Sequence, residues 1–294
     1  MATYSIKDLE KISGIKAHTI RIWEKRYGLV IPNRTQTNIR YYSDAELRKL
    51  LNISILARNG IKISKIAGFN NEEICEKVLL FSQKNNNTET IIENLVIAMV
   101  ELDEYKFDYL LSNHILKLGF EETFIRILHP FFQRVGILWQ AGTIVPAQEH
   151  FISNLVRQKL IVAIDSLQDQ VLTKQNRFVL FLPEGELHEL GLLFYQYTLR
   201  KRGFKTLYFG QTLPIRDLEK ICETQTINFL LTNITATLPT NRLKELIFKL
   251  ADTFPTTTIC ISSPQIPEIV FETPINVLLI GSPADFIRQV ESYS

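Results

Sequence analysis

The stretch Thr19-Ile-Arg-Ile-Trp-Glu-Lys-Arg-Tyr-Gly-Leu-Val-Ile-Pro-Asn-Arg-Thr-Gln-Thr-Asn-Ile-Arg-Tyr-Tyr42 leaves few folds open. Ile20 and Trp23 stand three apart, the spacing of one helical face, and Arg21, Lys25 and Arg26 project around them. Gly28 and Pro32 stop that helix in the expected order. Asn33 to Asn38 reads as a polar loop, and Ile39 to Tyr42 as a strand returning from it. Upstream, Ser5-Ile-Lys-Asp8 is a capping-box start for a first helix, and Ser13-Gly14 makes the turn between the two. A basic helix followed by a basic hairpin suits double-stranded DNA, the helix in the major groove and the hairpin on the backbone. The unit is a winged helix-turn-helix.

This run resembles the MerR family of transcription regulators over residues 1 to about 70. Tyr4-Ser-Ile, Leu9, Gly14-Ile15, Thr19-Ile-Arg21, Trp23-Glu24, Tyr27-Gly-Leu29, Pro32 and Arg40-Tyr41-Tyr42 carry the likeness in order and spacing. The Trp-Glu-Lys-Arg-Tyr-Gly-Leu form is the variant found in members with a cobalamin-binding C-terminal half. Arg21, Lys25 and Arg26 are expected to contact DNA, with Lys16 and Thr19 at the start of the recognition helix. Arg34 and Arg40, with Tyr41 beside them, are expected to hold phosphates on either side of the wing. Trp23 and Tyr27 are expected to pack the small core of this head.

Charge divides the chain the same way. Residues 1–68 hold 13 Lys and Arg against 5 Asp and Glu, whereas the rest of the 294 residues hold 20 against 26. A head of net +8 on a body of net −6 fits a DNA-binding module joined to something that does not bind DNA. Cys75, Cys222 and Cys260 lie too far apart for a Cys-x-x-Cys zinc site or a disulfide frame. No apolar signal core or membrane-length run is present, and a cytoplasmic protein without a membrane partner is expected.

After the wing, Ser43 to Leu47 begins a helix that Gly60 ends, Ile61 to Gly68 forms a short helix, and Glu72 to Ser82 a further one. Lys84-Asn-Asn-Asn-Thr88 reads as a linker. From Glu89 to about Leu167 the apolar period is helical, which predicts a four-helix bundle. From Arg177 the pattern alternates: Phe178–Leu182, Thr206–Phe209, Asn228–Leu231, Thr257–Ile261 and Val277–Ile280 are short apolar runs, most of them separated by helical stretches. That order predicts a doubly wound, Rossmann-like parallel sheet with its ligand at the carboxyl ends of the strands. The predicted domains are 1–82 (winged head), 88–170 (helical cap) and 176–294 (sheet), a multidomain α and α/β chain.

Directly after the first strand of the sheet comes Pro183-Glu-Gly-Glu-Leu-His188-Glu-Leu-Gly191. His188 faces the ligand crevice as a candidate metal ligand, Glu186 can accept from its other ring nitrogen, and Gly191 lets a bulky group approach the helix start. The segment resembles the Asp-x-His-x-x-Gly motif of cobalamin-binding domains, in which the histidine replaces the cofactor's own base beneath cobalt; Glu186 stands where Asp is usual. Trp139, nine residues ahead of Glu149-His150, is similar to the Trp-x(9)-Glu-His arrangement in the helical cap of light-responsive, cobalamin-dependent MerR-like regulators. That likeness puts the indole over the upper axial group, with Glu149 and His150 around it. Other positions depart from the pattern. Asn233-Ile-Thr235 and Ser262-Ser263 stand where such domains have Ser-x-Leu and Gly-Gly, small residues that admit the nucleotide tail. Gln140 replaces the second histidine of photosensory relatives.

No nucleophile–base pair, paired carboxylates or Gly-rich phosphate loop stands out, and no catalysis is expected. The resemblances imply a repressor that binds adenosylcobalamin or methylcobalamin, with oligomer state and operator binding under the control of the cofactor and of light. They also imply a homodimer or homotetramer on a pseudo-palindromic operator, with RNA polymerase affected indirectly. Two alternatives stand beside this reading: a regulator whose C-terminal half has become a protein-interaction module without cobalamin, and a corrinoid methyl-transfer protein.

Overall fold

The structure is a computed structural model that describes residues 3–35, 37–58, 60–84, 88–140, 142–168 and 172–293. The chain divides into two compact units, residues 1–155 and 156–294.

The first unit opens with β1 (Thr3–Tyr4), α1 (Ile6–Ser13), α2 (Ala17–Tyr27), β2 (Asn33–Arg34) and β3 (Arg40–Ser43). Ser5 caps α1 as expected: its backbone N–H donates to Asp8 Oδ2 at 2.7 Å, and its hydroxyl accepts from Asp8 N at 3.3 Å. Gly14 and Gly28 end α1 and α2 with φ of 69° and 61°, a left-handed conformation that a side chain would strain. The wing is wider than the sequence suggested. β1 and β2 flank β3 in an antiparallel sheet of order β1-β3-β2. β1 has no sequence signal of its own, because two residues are too few to show a period. Ile20 and Trp23 pack inward, whereas Tyr27 is half-buried with the Arg26 guanidinium over its ring.

Helices α3 (Asp44–Arg58), α4 (Ile63–Ile66) and α5 (Asn71–Lys84) complete the head. Asn85, Asn86 and Asn87 of the expected linker lie outside the described residues. The helical region then runs through α6 (Thr88–Glu101), α7 (Glu104–Leu118), α8 (Phe120–Thr123), a π-helical turn (Phe124–Leu128), α9 (His129–Gln140) and α10 (Pro146–Asp165). α6 is buried from Thr90 to Val100 and packs on α7, α9 and the π turn. The π turn has a local cause. Pro130 has no N–H for the Arg126 carbonyl, and the ladder slips so that His129 N donates to Phe124 O.

The second unit is a five-stranded, wholly parallel sheet: β4 (Arg177–Pro183), β5 (Lys205–Leu213), β6 (Phe229–Asn233), β7 (Thr258–Ser262) and β8 (Val277–Ile280), in the order β5-β4-β6-β7-β8. Helices α11 (Leu190–Lys201), α12 (Ile215–Thr224), α13 (Thr240–Thr253) and α14 (Pro283–Ser292) complete it. Val179, Phe181, Leu230, Ile259 and Ile261 face one layer, against Leu218 of α12 and Leu243, Ile247 and Leu250 of α13. Phe178 and Phe229 stack across the other face at 4.4 Å, and Tyr195 of α11 meets Phe286 of α14 at the same ring separation. The doubly wound expectation holds. Its strand order reverses between β4 and β6, so the ligand crevice falls at their carboxyl ends.

Candidate functional site

The loop after β4 lies at that reversal. Glu186 is 4% exposed, and its carboxylate is the hub of the loop. Oε1 accepts from His188 Nδ1 at 2.6 Å and from His188 N at 2.9 Å, while Oε2 accepts from Thr235 N and Ala236 N, each at 2.9 Å. One carboxylate therefore ties the β4 loop to the β6 loop. Burial pushes its pKa up, but the bonds from His188 and the Ala236 amide outweigh burial and hold the carboxyl at about 2. With Nδ1–H given to Glu186, neutral His188 carries its lone pair on Nε2, and its side chain is 58% exposed at the carboxyl edge of the sheet. This arrangement is what a metal-ligating imidazole requires. Among the described residues there is no cluster of three His, Cys, Asp or Glu side chains able to hold a metal. A metal that already carries its equatorial ligands in a macrocycle needs only one axial donor from the protein.

Behind His188 lies a network that sequence reading missed. Glu189 is buried; one of its oxygens pairs with Arg157 Nε and the other accepts from Tyr208 OH at 3.1 Å. Burial and the Glu189 charge push the Tyr208 phenol well above its usual range. Gln211 Nε2 donates to Leu187 O at 2.7 Å and steadies the same loop. These partners lie 19 to 32 residues from Glu189 or Leu187, so no local pattern announces them.

Gly191 opens α11, but what approaches its backbone is Asn233. A Cβ on Gly191 would stand 2.9 Å from Asn233 Nδ2 and 3.0 Å from its Cγ. Asn233 Nδ2 donates to Thr235 Oγ1 at 2.9 Å. Ser262 meets the Tyr195 hydroxyl at 2.7 Å, and burial pushes that phenol up to about 12. Ser263 accepts from Gln265 N at 3.2 Å. On the other face of the sheet a hollow of about 650 Å³ opens between the β4 loop, α12 and α13, and includes Arg216 and Lys249 in its wall.

In the first unit, Trp139 lies near the end of α9 with its side chain 54% exposed, and Glu149 and His150 lie in the first turns of α10. Glu149 Oε2 is 3.9 Å from His150 Nε2, and its Oε1 accepts from Ser153 Oγ at 2.5 Å.

On α2 the side chains of Arg21, Lys25 and Arg26 are exposed, Thr19 is half-buried, and Lys16 precedes the helix, with its ammonium 3.4 Å from Glu10. In the wing, Arg34 Nη1 donates to Asn38 Oδ1 at 2.7 Å, and Tyr41 is half-buried. Arg40 Nε donates to Glu24 Oε1 at 3.2 Å and so straps the wing to the recognition helix. Strapping and phosphate contact are compatible, because the Arg40 side chain remains 38% exposed.

Residues 4–72 match the model of the MerR HTH family of regulatory proteins, and residues 91–163 match that of a B12 binding domain. The chain therefore carries a MerR-type HTH head and a B12 binding domain. It is 29% identical to the HTH-type transcriptional repressor CarH of Myxococcus xanthus over 223 residues, 74% of this chain and 73% of that one. It is 25% identical to the repressor CarA of the same organism over 222 residues, 75% of this chain and 72% of that one. Among solved structures, the monomethylamine corrinoid protein of Methanosarcina barkeri matches with a TM-score of 0.54 and 16% identity, covering 70% of this chain and 100% of that one. That likeness is one of fold. The MerR match and the five-stranded parallel sheet agree with the expectations for the two ends of the chain. No helix among the described residues is long and apolar enough to cross a membrane.

Proposed function

We propose that this chain is a cytoplasmic DNA-binding transcription repressor whose C-terminal half holds a corrinoid and whose operator binding follows the state of that corrinoid. The carrying observation is the pairing of Glu186 with His188 Nδ1, which fixes the ring tautomer with its lone pair on Nε2, at the carboxyl edge of a doubly wound sheet and in a chain that also has a MerR head. Adenosylcobalamin or methylcobalamin is the proposed ligand; His188 would hold its cobalt, and Trp139, Glu149 and His150 are the proposed further cofactor-binding residues. The donor set fits the metal. The space beside Gly191 does not fit an inserted nucleotide.

A bound corrinoid would supply a cobalt–carbon bond that breaks with light or chemistry. Glu186 would keep the His188 ring in one tautomer, and the exposed Trp139 indole would cover apolar surface in a way that depends on what stands above the ring. A homodimer or homotetramer on a pseudo-palindromic site follows from the repressor reading, with RNA polymerase affected indirectly. A corrinoid methyl carrier has no use for a head of this charge, which weighs against the enzyme-partner alternative.

The test is an absorbance spectrum of the full chain mixed with adenosylcobalamin in the dark and desalted, then repeated with His188→Ala and after green illumination. A retained corrin band that His188→Ala removes supports the reading, and a change in spectrum and particle size on illumination supports the light response. Intact DNA binding with no retained corrinoid of any kind would count against it.

A further inference from the structure

A histidine that ligates cobalt from below displaces the cofactor's own base, and the displaced nucleotide then needs a place against the protein. The resemblance of this segment to cobalamin-binding domains would put that place in the layer between α11 and the sheet, bordered by Gly191, by Asn233 at the end of β6 and by Ser262 at the end of β7. The layer is filled. Asn233, 8% exposed, puts its amide 2.9 to 3.1 Å from where a Cβ of Gly191 would stand. Deeper in, Tyr195 is 2% exposed and spans from α11 to β7, its hydroxyl 2.7 Å from Ser262 Oγ and its ring 4.4 Å from that of Phe286. A planar two-ring base enters only if one of these side chains leaves a close-packed interior.

We propose that this site recognises the corrin ring rather than the nucleotide, and takes corrinoids that lack the lower nucleotide more tightly than cobalamin. The inference rests on the reading of His188 as the cobalt ligand. In cobalamin the tethered base competes with His188 for the lower face of cobalt, and once displaced it gains no buried contact in return. A cobinamide carries no such base, so His188 meets no intramolecular competitor.

The experiment titrates the full chain in the dark with adenosylcobinamide and, separately, with adenosylcobalamin, following the corrin absorbance. The expected result is a Kd about tenfold lower for adenosylcobinamide, with His188→Ala weakening it. Asn233→Ser, and Asn233→Ser combined with Tyr195→Leu, should tighten adenosylcobalamin while leaving adenosylcobinamide unchanged; the single substitution keeps the test intact if the double variant folds poorly. Wild-type protein that binds adenosylcobalamin as tightly as adenosylcobinamide, or more tightly, overturns the proposal while leaving the corrinoid reading in place. Binding of neither overturns both.

Discussion

The amide of Asn233 and the bare α-carbon of Gly191 are fitted to each other, so a change at either is felt at the other. Gly191 lies in the first turn of α11, where alanine would ordinarily favour the helix. Here the added methyl meets Asn233 at 2.9 Å, so Gly191→Ala is expected to cost about 1–3 kcal/mol through overpacking. Asn233→Ser should recover most of that loss. Urea unfolding of the four proteins of this double-mutant cycle checks the coupling, and additive effects would sink the idea. Glu186 shows the same dependence on distant partners. Its proximity to His188 is legible in the sequence, two residues apart, but its acceptance from the Thr235 and Ala236 amides comes from a loop about fifty residues away. Glu186→Ala leaves both amides without this acceptor, and a destabilisation of about 1–3 kcal/mol is expected in the same unfolding assay.

Between elements, the carbonyl end of α1 is held by arginines from other helices. Arg58 of α3 donates from Nη2 to Ser13 O at 3.0 Å, and Arg134 of α9 donates to Ile12 O. Arg58 Nη1 also pairs with Glu89, at 3.2 Å, and with Glu93 of α6. Glu93 is 3% exposed, and burial pushes its carboxyl above the ordinary range although Arg58 and Arg134 draw it down and Glu89 adds to the rise. The sign follows from linkage. A carboxyl raised in the folded state contributes its stabilisation fully below its ordinary value of 4.5 and loses it as pH climbs through the raised value. Wild type should therefore lose thermal stability relative to Glu93→Gln as pH rises from about 4.5 toward neutrality. Melting curves of the two proteins across that window measure the difference, and a flat or opposite trend would mean that Arg58 outweighs burial. The Arg40–Glu24 strap gives a second contrast on the wing. Lys25→Ala removes a charge and should only weaken DNA binding, whereas Arg40→Ala should also loosen β3 against α2. Fluorescence anisotropy of a labelled duplex, paired with a melt of each free variant, separates the two effects.

For the whole chain, the small net charge hides a basic head on an acidic body, so affinity for any duplex should fall steeply with salt. A log–log plot of affinity against salt is expected to be linear, and Arg21→Ala or Lys25→Ala should each reduce its slope by about one. A slope unmoved by either substitution would place the DNA elsewhere than on α2.

Much of this molecule could be read from order alone. The capping box, the two glycine stops, the helical period and the alternation of strand and helix are local, because each depends on residues a few positions apart whose spacing sets their backbone geometry. The Glu186–His188 pair belongs to the same class. What local spacing could not reveal was the occupancy of the layer beside Gly191. Asn233, Tyr195, Ser262 and Phe286 come from four separate elements and meet only when the sheet stacks its strands and α11 and α14 close over one face. A small residue reads as open space in a sequence. Whether that space stays open depends on which distant side chain packs into it, and packing is decided in three dimensions.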